Sequence, residues 1–288
     1  MSKVKFKILT HGGSAVNEDL IGHYEKTFWI MDGATPLSKS HFLPSPSDAQ
    51  WFVKELDSAL TSILHQEDTP DLKSLLNLAL TQVEQSVINL GIDVTKMTLF
   101  EIPSCSLIML RVNSNTLEYL TLGDCSLIFH YRDHLLEVKD KTVVALDHSV
   151  LQKLRSQRLK GNLDRNELES YRMSLLQKNR SLMNSSEGYW TCTWDRKGVA
   201  HATLGSLDLD SDMNVLGCTD GFSRVVDLYN TCKWDDLLLQ KLSLQNALDL
   251  IREIEFKDKT MDKFERLKIS DDASALLLSI SLEDIGGR

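Results

Sequence analysis

The sequence has no Cys-x-x-Cys pair, and its five cysteines (Cys105, Cys125, Cys192, Cys218, Cys232) are odd in number and widely spaced. That pattern excludes a disulfide framework and a zinc ribbon and matches a reducing compartment, so a cytoplasmic location is expected. No apolar run approaches the ~20 residues needed to cross a bilayer. The opening MSKVKFKILT alternates lysine with apolar residues and lacks the continuous apolar core of a signal peptide. There is no internal repeat, low-complexity tract or linker, so a single domain over residues 1–288 is expected. Positive charge is also short: 32 Lys and Arg against 41 Asp and Glu leave a formal −9. That balance argues against a protein whose work is neutralising nucleic-acid phosphates, and no nucleic-acid or membrane partner is expected. It suits a protein that holds cations on carboxylates.

What is present is ordinary globular material, 42% hydrophobic and 25% charged over 288 residues. Val4, Phe6 and Ile8 share one face at period two, and Phe28-Trp29-Ile30-Met31 is a short apolar strand ending at Asp32-Gly33. Ala49, Phe52, Val53, Leu56, Leu60 and Ile63 keep helical spacing after Pro46-Ser47. A second helix is expected from Thr69 as N-cap and Pro70 at its first position to Gly91 as terminator. Strands return at 106–112, 117–122, 127–131 and 135–138, with gaps short enough for antiparallel hairpins. Residues 148–184 look helical and basic, eight Lys and Arg against three acids, a local +5. A strand over 214–219, helical segments over 233–267 and a last strand over 273–280, apolar on both faces, complete the pattern. Strands and helices in blocks rather than strict alternation predict an α+β layered fold with helices outside.

Carboxylates recur where these strands end: Asp32, Asp124, Asp220 and Asp271, with Asn17-Glu18-Asp19 beside an early strand. Strand ends are where distant parts of a chain converge on a rigid frame. Singly, Asp-Gly is a turn sequence. Together, several carboxylates would repel and raise each other's pKa values unless cations joined them. An all-oxygen set without His or Cys favours Mg²⁺ or Mn²⁺ over zinc.

Asn17-Glu18-Asp19, Trp29-Ile30-Met31-Asp32-Gly33, Leu122-Gly123-Asp124-Cys125-Ser126, Cys218-Thr219-Asp220-Gly221 and Ser270-Asp271-Asp272-Ala273-Ser274 resemble, in this order, the motifs of the metal-dependent (PPM, type-2C) protein phosphatases. The resemblance spans about residues 4–282 and is to bacterial members. It implies two antiparallel β-sheets packed as a sandwich and flanked by helices on both outer faces, a four-layer αββα arrangement. It implies hydrolysis of phosphoserine and phosphothreonine in a phosphorylated protein substrate, at a site with two Mn²⁺ or Mg²⁺ ions. By motif position Asp32 resembles the carboxylate bridging both ions, and Gly33 offers its backbone carbonyl. Asp220 and Asp271 resemble ligands of the first ion, Glu18 a water-mediated ligand of the second, and Asp19 a support for that shell. Asp124, shared with Asp220, resembles the ligand of a third ion. Asp32 and Asp220 are the residues on which catalysis would rest. The basic stretch falls where the family carries its flap, at about 145–190.

The chemistry is coherent by itself, since two ions supply both a nucleophilic water and compensation for charge on the phosphoryl oxygens. The sequence holds neither a Cys-x₅-Arg phosphate loop nor a Gly-rich P-loop that would offer another route. Two family residues are missing: Ser14 stands where many members place a phosphate-clamping Arg, and Ala34-Thr35 where animal members carry a general-acid His. A hydroxyl does not replace a bidentate guanidinium. His11, Ser14 and Arg224 are the candidate substrate-phosphate contacts, although a turn residue (His11) and an ion-pair partner (Arg224) are the plainer readings. The competing functions are a regulatory pseudophosphatase and a phosphatase of a small metabolite. A monomer is expected.

Overall fold

The computed structural model describes residues 2–282 apart from 35, 36, 39, 40, 67–69 and 162. β1 (Ser2–His11), β2 (Asp19–Tyr24) and β3 (Thr27–Gly33) precede α1 (Asp48–Leu64) and α2 (Leu72–Asn89). Then come β4 (Cys105–Val112), β5 (Thr116–Leu122), β6 (Ser126–Tyr131), β7 (His134–Val138), α3 (Thr142–Lys160) and α4 (Arg165–Arg180). β8 (Thr203–Asp208), β9 (Met213–Cys218), α5 (Asp220–Asp227), α6 (Trp234–Leu238), α7 (Leu244–Lys257) and β10 (Ala273–Leu282) follow. The strands form two antiparallel five-stranded sheets, ordered β1-β10-β9-β6-β7 and β2-β3-β4-β5-β8.

Side-chain alternation explains the layers. On β3, Phe28 and Ile30 point to one face and Trp29 and Met31 to the other. Phe28 and Ile30 join Ile108, Leu110, Phe129, Val215, Leu276 and Leu278 in the layer between the sheets. Trp29, Met31, Met109 and Leu120 pack outward against α1 and α2. Ile128, Leu216, Ala275 and Leu277 pack outward against α5, α6 and α7. The expected α+β sandwich flanked by helices is what forms, and β10 is apolar on both faces because both are covered.

Local differences have local causes. Ser47 caps α1 through Gln50, in keeping with the pattern. Thr69 lies outside the described residues, and the α2 cap is Asp71, whose carboxylate accepts from the amides of Lys73 and Ser74. Gly91, at φ 75°, follows the end of α2 as expected. The Val4, Phe6 and Ile8 face is turned toward the layer between the sheets, opposite Ile280, Leu278 and Leu276, but β1 is an edge strand and leaves Phe6 and Ile8 exposed. The basic stretch is two helices, divided where Gly161 adopts φ 65°. Asp220 opens a helix, α5, rather than a loop. β8 is a strand that the sequence pattern does not announce.

Helix stops at Lys257 rather than 267. The loop beyond is organised by Arg266, which donates to the Asp258 carboxylate (2.7 Å) and carbonyl (2.7 Å) and to the carbonyls of Phe264 (2.8 Å) and Ile269 (3.0 Å). Both members of this ion pair are buried. The loop leads directly to Asp271, so a buried guanidinium sets the approach of a candidate ligand. Arg266→Met should lower stability by roughly 3–5 kcal/mol, because it strands the Asp258 charge. Urea denaturation measures this, and a loss under about 1 kcal/mol would show that other contacts hold the loop.

Candidate functional site

The inward stripe of β3 continues from Phe28 and Ile30 to Asp32, so this carboxylate closes the apolar layer between the sheets. Register places Asp19 of β2 opposite Asp32, and Ser106 of β4 opposite it on the other side. Directly opposed residues share a face, so Asp19, Asp32 and Ser106 form a row across the sheet end. The Ser106 hydroxyl extends that row by donating to Asp124 at 2.5 Å.

The other sheet closes on this row from above. The Thr219 hydroxyl, just beyond β9, donates to Asp19 at 2.9 Å, and the Asp220 amide at the start of α5 donates to Asp32 at 3.3 Å. Asp272 accepts from the amides of Gly13 (2.8 Å) and Glu18 (2.7 Å), tying the 12–18 loop to the entrance of β10. A Cβ at Gly13 would lie 2.3 Å from the Asp271 backbone, so only glycine permits this approach. Glu18 is buried at the N-terminus of α1, where the Ser47 hydroxyl donates to it.

Charge is concentrated here. Burial, then the neighbouring charges of Asp19, Asp220, Asp124 and Asp271, hold the Asp32 carboxyl well above the ordinary range. Burial does the same at Asp19 against hydroxyl hydrogen bonds from Ser274 and Thr219. Asp124 is pushed up to about 6 by burial and Asp220. Asp147 of α3, not anticipated from the sequence, is pushed up to about 7 by burial and then by Asp220 and Asp124.

Cations answer part of this charge. Asp271 accepts from the Arg224 guanidinium at 2.6 Å and from the Lys268 ammonium at 2.8 Å. Partial loss of water around the ammonium works against the Lys268 charge, but Asp271, Asp220 and Asp32 hold its pKa above the usual value. Arg224 also reaches Glu255 at 3.5 Å. Lys139, paired with Asp227 at 3.2 Å, adds its field to Asp124.

Asp32, Gly33, Asp124, Asp220 and Asp271 line one pocket, and α3 and α4 form a wall of it through Asp147, Arg172 and Arg180. The segment after the helices is sewn to β4: Cys105 and Cys192 exchange both backbone hydrogen bonds at 3.0 Å. Of the expected site residues, Glu18 and Asp19 lie just behind the pocket floor. His11 ends β1, where its carbonyl accepts from Arg252 at 3.1 Å, and Ser14 donates to the Val16 carbonyl at 2.9 Å in an exposed turn. Neither lines the pocket among the described residues. Arg224 sits beneath Asp271. Thr35 lies outside the described residues.

These donors fit a hard divalent cation in kind: every one is oxygen, and the buried Asp19 Oδ1 has no hydrogen-bond donor. As the side chains stand, no three of the described His, Cys, Asp and Glu residues converge on one ion. Ser47, Thr219, Ser106, Arg224 and Lys268 each donate to one carboxylate of the set.

No family model matches the sequence, and no curated protein matches it significantly. The fold, however, is that of bacterial PPM-type serine/threonine phosphatases. The catalytic domain of the serine/threonine protein phosphatase PstP, in complex with two manganese ions, superposes with a TM-score of 0.56 at 14% identity, covering 98% of this chain and 100% of that one. The Mycobacterium tuberculosis serine/threonine phosphatase PstP/Ppp gives 0.56 at 16% identity, covering 96% and 98%. PppA, a key regulatory component of the T6SS in Pseudomonas aeruginosa, gives 0.55 at 14%, covering 96% and 99%.

A carboxyl whose pKa is raised on folding binds more protons folded than unfolded, so its contribution to stability falls as pH rises from about 4 toward the folded value. For Asp147 that window runs to about 7. Asp147→Asn should therefore match wild type near pH 4 and exceed it by roughly 1–3 kcal/mol at pH 7.5 in metal-free protein. Melting curves in EDTA across pH check this; a difference that does not grow with pH would count against the burial argument.

Proposed function

We propose that this chain is a Mn²⁺- or Mg²⁺-dependent phosphatase that hydrolyses phosphoserine and phosphothreonine monoesters of proteins. The reading is carried by the row of Asp19, Asp32, Ser106 and Asp124 facing Asp220 and Asp271 at one sheet end, within a fold shared with such phosphatases. Asp32, Asp220, Asp271, the Gly33 carbonyl and Glu18 are the groups that would hold two ions. Asp124 with Asp220 would hold a third. Bound there, the ions would supply a water of lowered pKa and offset charge developing on the phosphoryl oxygens.

The protein's own groups do the remaining work. Asp32 ends a buried strand and Asp19 backs it from the next, so the Asp32 carboxylate has little freedom to swing. Ser106 orients Asp124, and Thr219 orients Asp19. Ser14 and His11 stand outside the pocket, so we assign the substrate phosphate to the α4 guanidinium groups of Arg180 and Arg172, the latter oriented by Glu169, which accepts from its Nε at 2.8 Å and its Nη2 at 2.6 Å. Arg224 holds Asp271 in place. Residues 145–190 act as a flap that limits water around the scissile bond, and the chain works as one domain, in the cytoplasm, as a monomer. Among the described residues no helix is long and apolar enough to cross a membrane.

One observation favours a second reading, a regulatory module that binds metal and phosphorylated partners without turnover: the Ser14 hydroxyl is bonded to its own turn and leaves the clamp position empty of charge. Hydrolysis of p-nitrophenyl phosphate and a phosphothreonine peptide with Mn²⁺, Mg²⁺ or EDTA separates the two. Activity with Mn²⁺ that EDTA abolishes is expected, whereas Mn²⁺ binding without turnover would establish the regulatory module. Metal-independent turnover would overturn the two-ion chemistry. Asp220→Asn should keep the fold and lower kcat at least ~10³-fold at saturating Mn²⁺. A near wild-type kcat there would show that Asp220 is not a catalytic ligand.

A further inference from the structure

We propose that Lys268 is a resident counter-ion of the carboxylate site, which a divalent cation must displace from Asp271 in order to bind. The proposal rests on the two-ion reading above and adds a residue that the motifs do not contain.

Both oxygens of Asp271 are taken by cations, Oδ2 by Arg224 at 2.6 Å and Oδ1 by Lys268 at 2.8 Å. The two cations are held very differently. The Arg224 side chain is only 11% exposed and also pairs with Glu255, itself 2% exposed and gripped by Arg252 at 2.7 Å. It is part of the frame. Lys268 stands in the loop beyond Arg266, lines the pocket, and has a side chain 44% exposed. Its ammonium is a compact charge on a flexible four-carbon stem, whereas Arg224 is a planar group in a fixed network.

An ion arriving at Asp271 meets the ammonium at hydrogen-bonding distance from the oxygen it needs, and like charges that close do not share one carboxylate oxygen. Lys268 is the cation able to swing away; Arg224 is not. Each uptake of metal therefore exchanges an ion pair for a coordination bond, and the apparent affinity is reduced by the stability of that pair. In exchange, the metal-free protein is spared part of the repulsion among Asp32, Asp220 and Asp271.

The test is isothermal titration of Mn²⁺ into metal-free wild type, Lys268→Met and Lys268→Arg at pH 7.5, with melting curves in EDTA. Lys268→Met should bind Mn²⁺ about tenfold more tightly and melt lower than wild type when metal-free. Lys268→Arg, which keeps the cation, should stay within about threefold of wild-type affinity. Binding by the Met variant where wild type takes up none would support the same displacement in a stronger form. If wild type binds Mn²⁺ and Lys268→Met binds it equally or more weakly, the counter-ion proposal is overturned while the two-ion reading stands. If no variant binds Mn²⁺, both fall.

Discussion

Asp19 and Asp32 stand opposite each other on neighbouring strands, at the mouth of an apolar layer that removes much of their water. Burial raises both carboxyls, the charge of Asp19 adds to it at Asp32 and those of Asp272 and Asp220 at Asp19, and Asp124 and Asp220 approach from the adjoining strand ends. Such a cluster persists only if the surrounding chain supplies donors and cations, because an uncompensated buried charge is among the costliest things a fold can contain. Much of the local architecture answers that constraint.

The answer is distributed over both sheets. Hydroxyls from Thr219, Ser106 and Ser47 donate to one carboxylate each, and the Asp220 amide donates to Asp32. Arg224, fixed by Glu255, and Lys268 neutralise Asp271. Asp272 uses its own charge differently, gathering two backbone amides of the N-terminal loop so that Glu18 arrives beside Asp32. Most of these carboxylates already have local partners, and a divalent cation would compete with those partners rather than fill an open cage.

The helical pair α3 and α4 gives the site its other half. It brings Asp147 and two arginines to a pocket whose floor is acidic, and its return segment is stitched to β4 by Cys105 and Cys192, directly beside Gly33. Positive charge in a net acidic chain thus lies where an anionic substrate would enter. The position that lacks an arginine, Ser14, is in an exposed turn instead.

Much of this arrangement is legible in local stretches of sequence. The apolar run at 28–31 and the doubly apolar run at 273–280 specify buried strands, helical spacing specifies α1 and α2, and the recurrence of Asp at strand ends marks Asp32, Asp124, Asp220 and Asp271 as one group. These patterns are written in residues a few positions apart, and local periodicity is what a sequence carries directly. Asp147, Arg172 and Arg180 leave no such mark, because their helices have an ordinary polar surface and only packing brings them against the floor. Lys268 lies three residues from Asp271, yet its pairing depends on the loop geometry that Arg266 sets. The pairing of Asp19 with Asp32, the edge position of β1 and the burial that raises each carboxyl all come from strand order and register. The sequence by itself determined the residue types and every strand of this protein but β8; tertiary structure alone decided which charges share a pocket, because proximity between distant segments arises only when the two sheets stack.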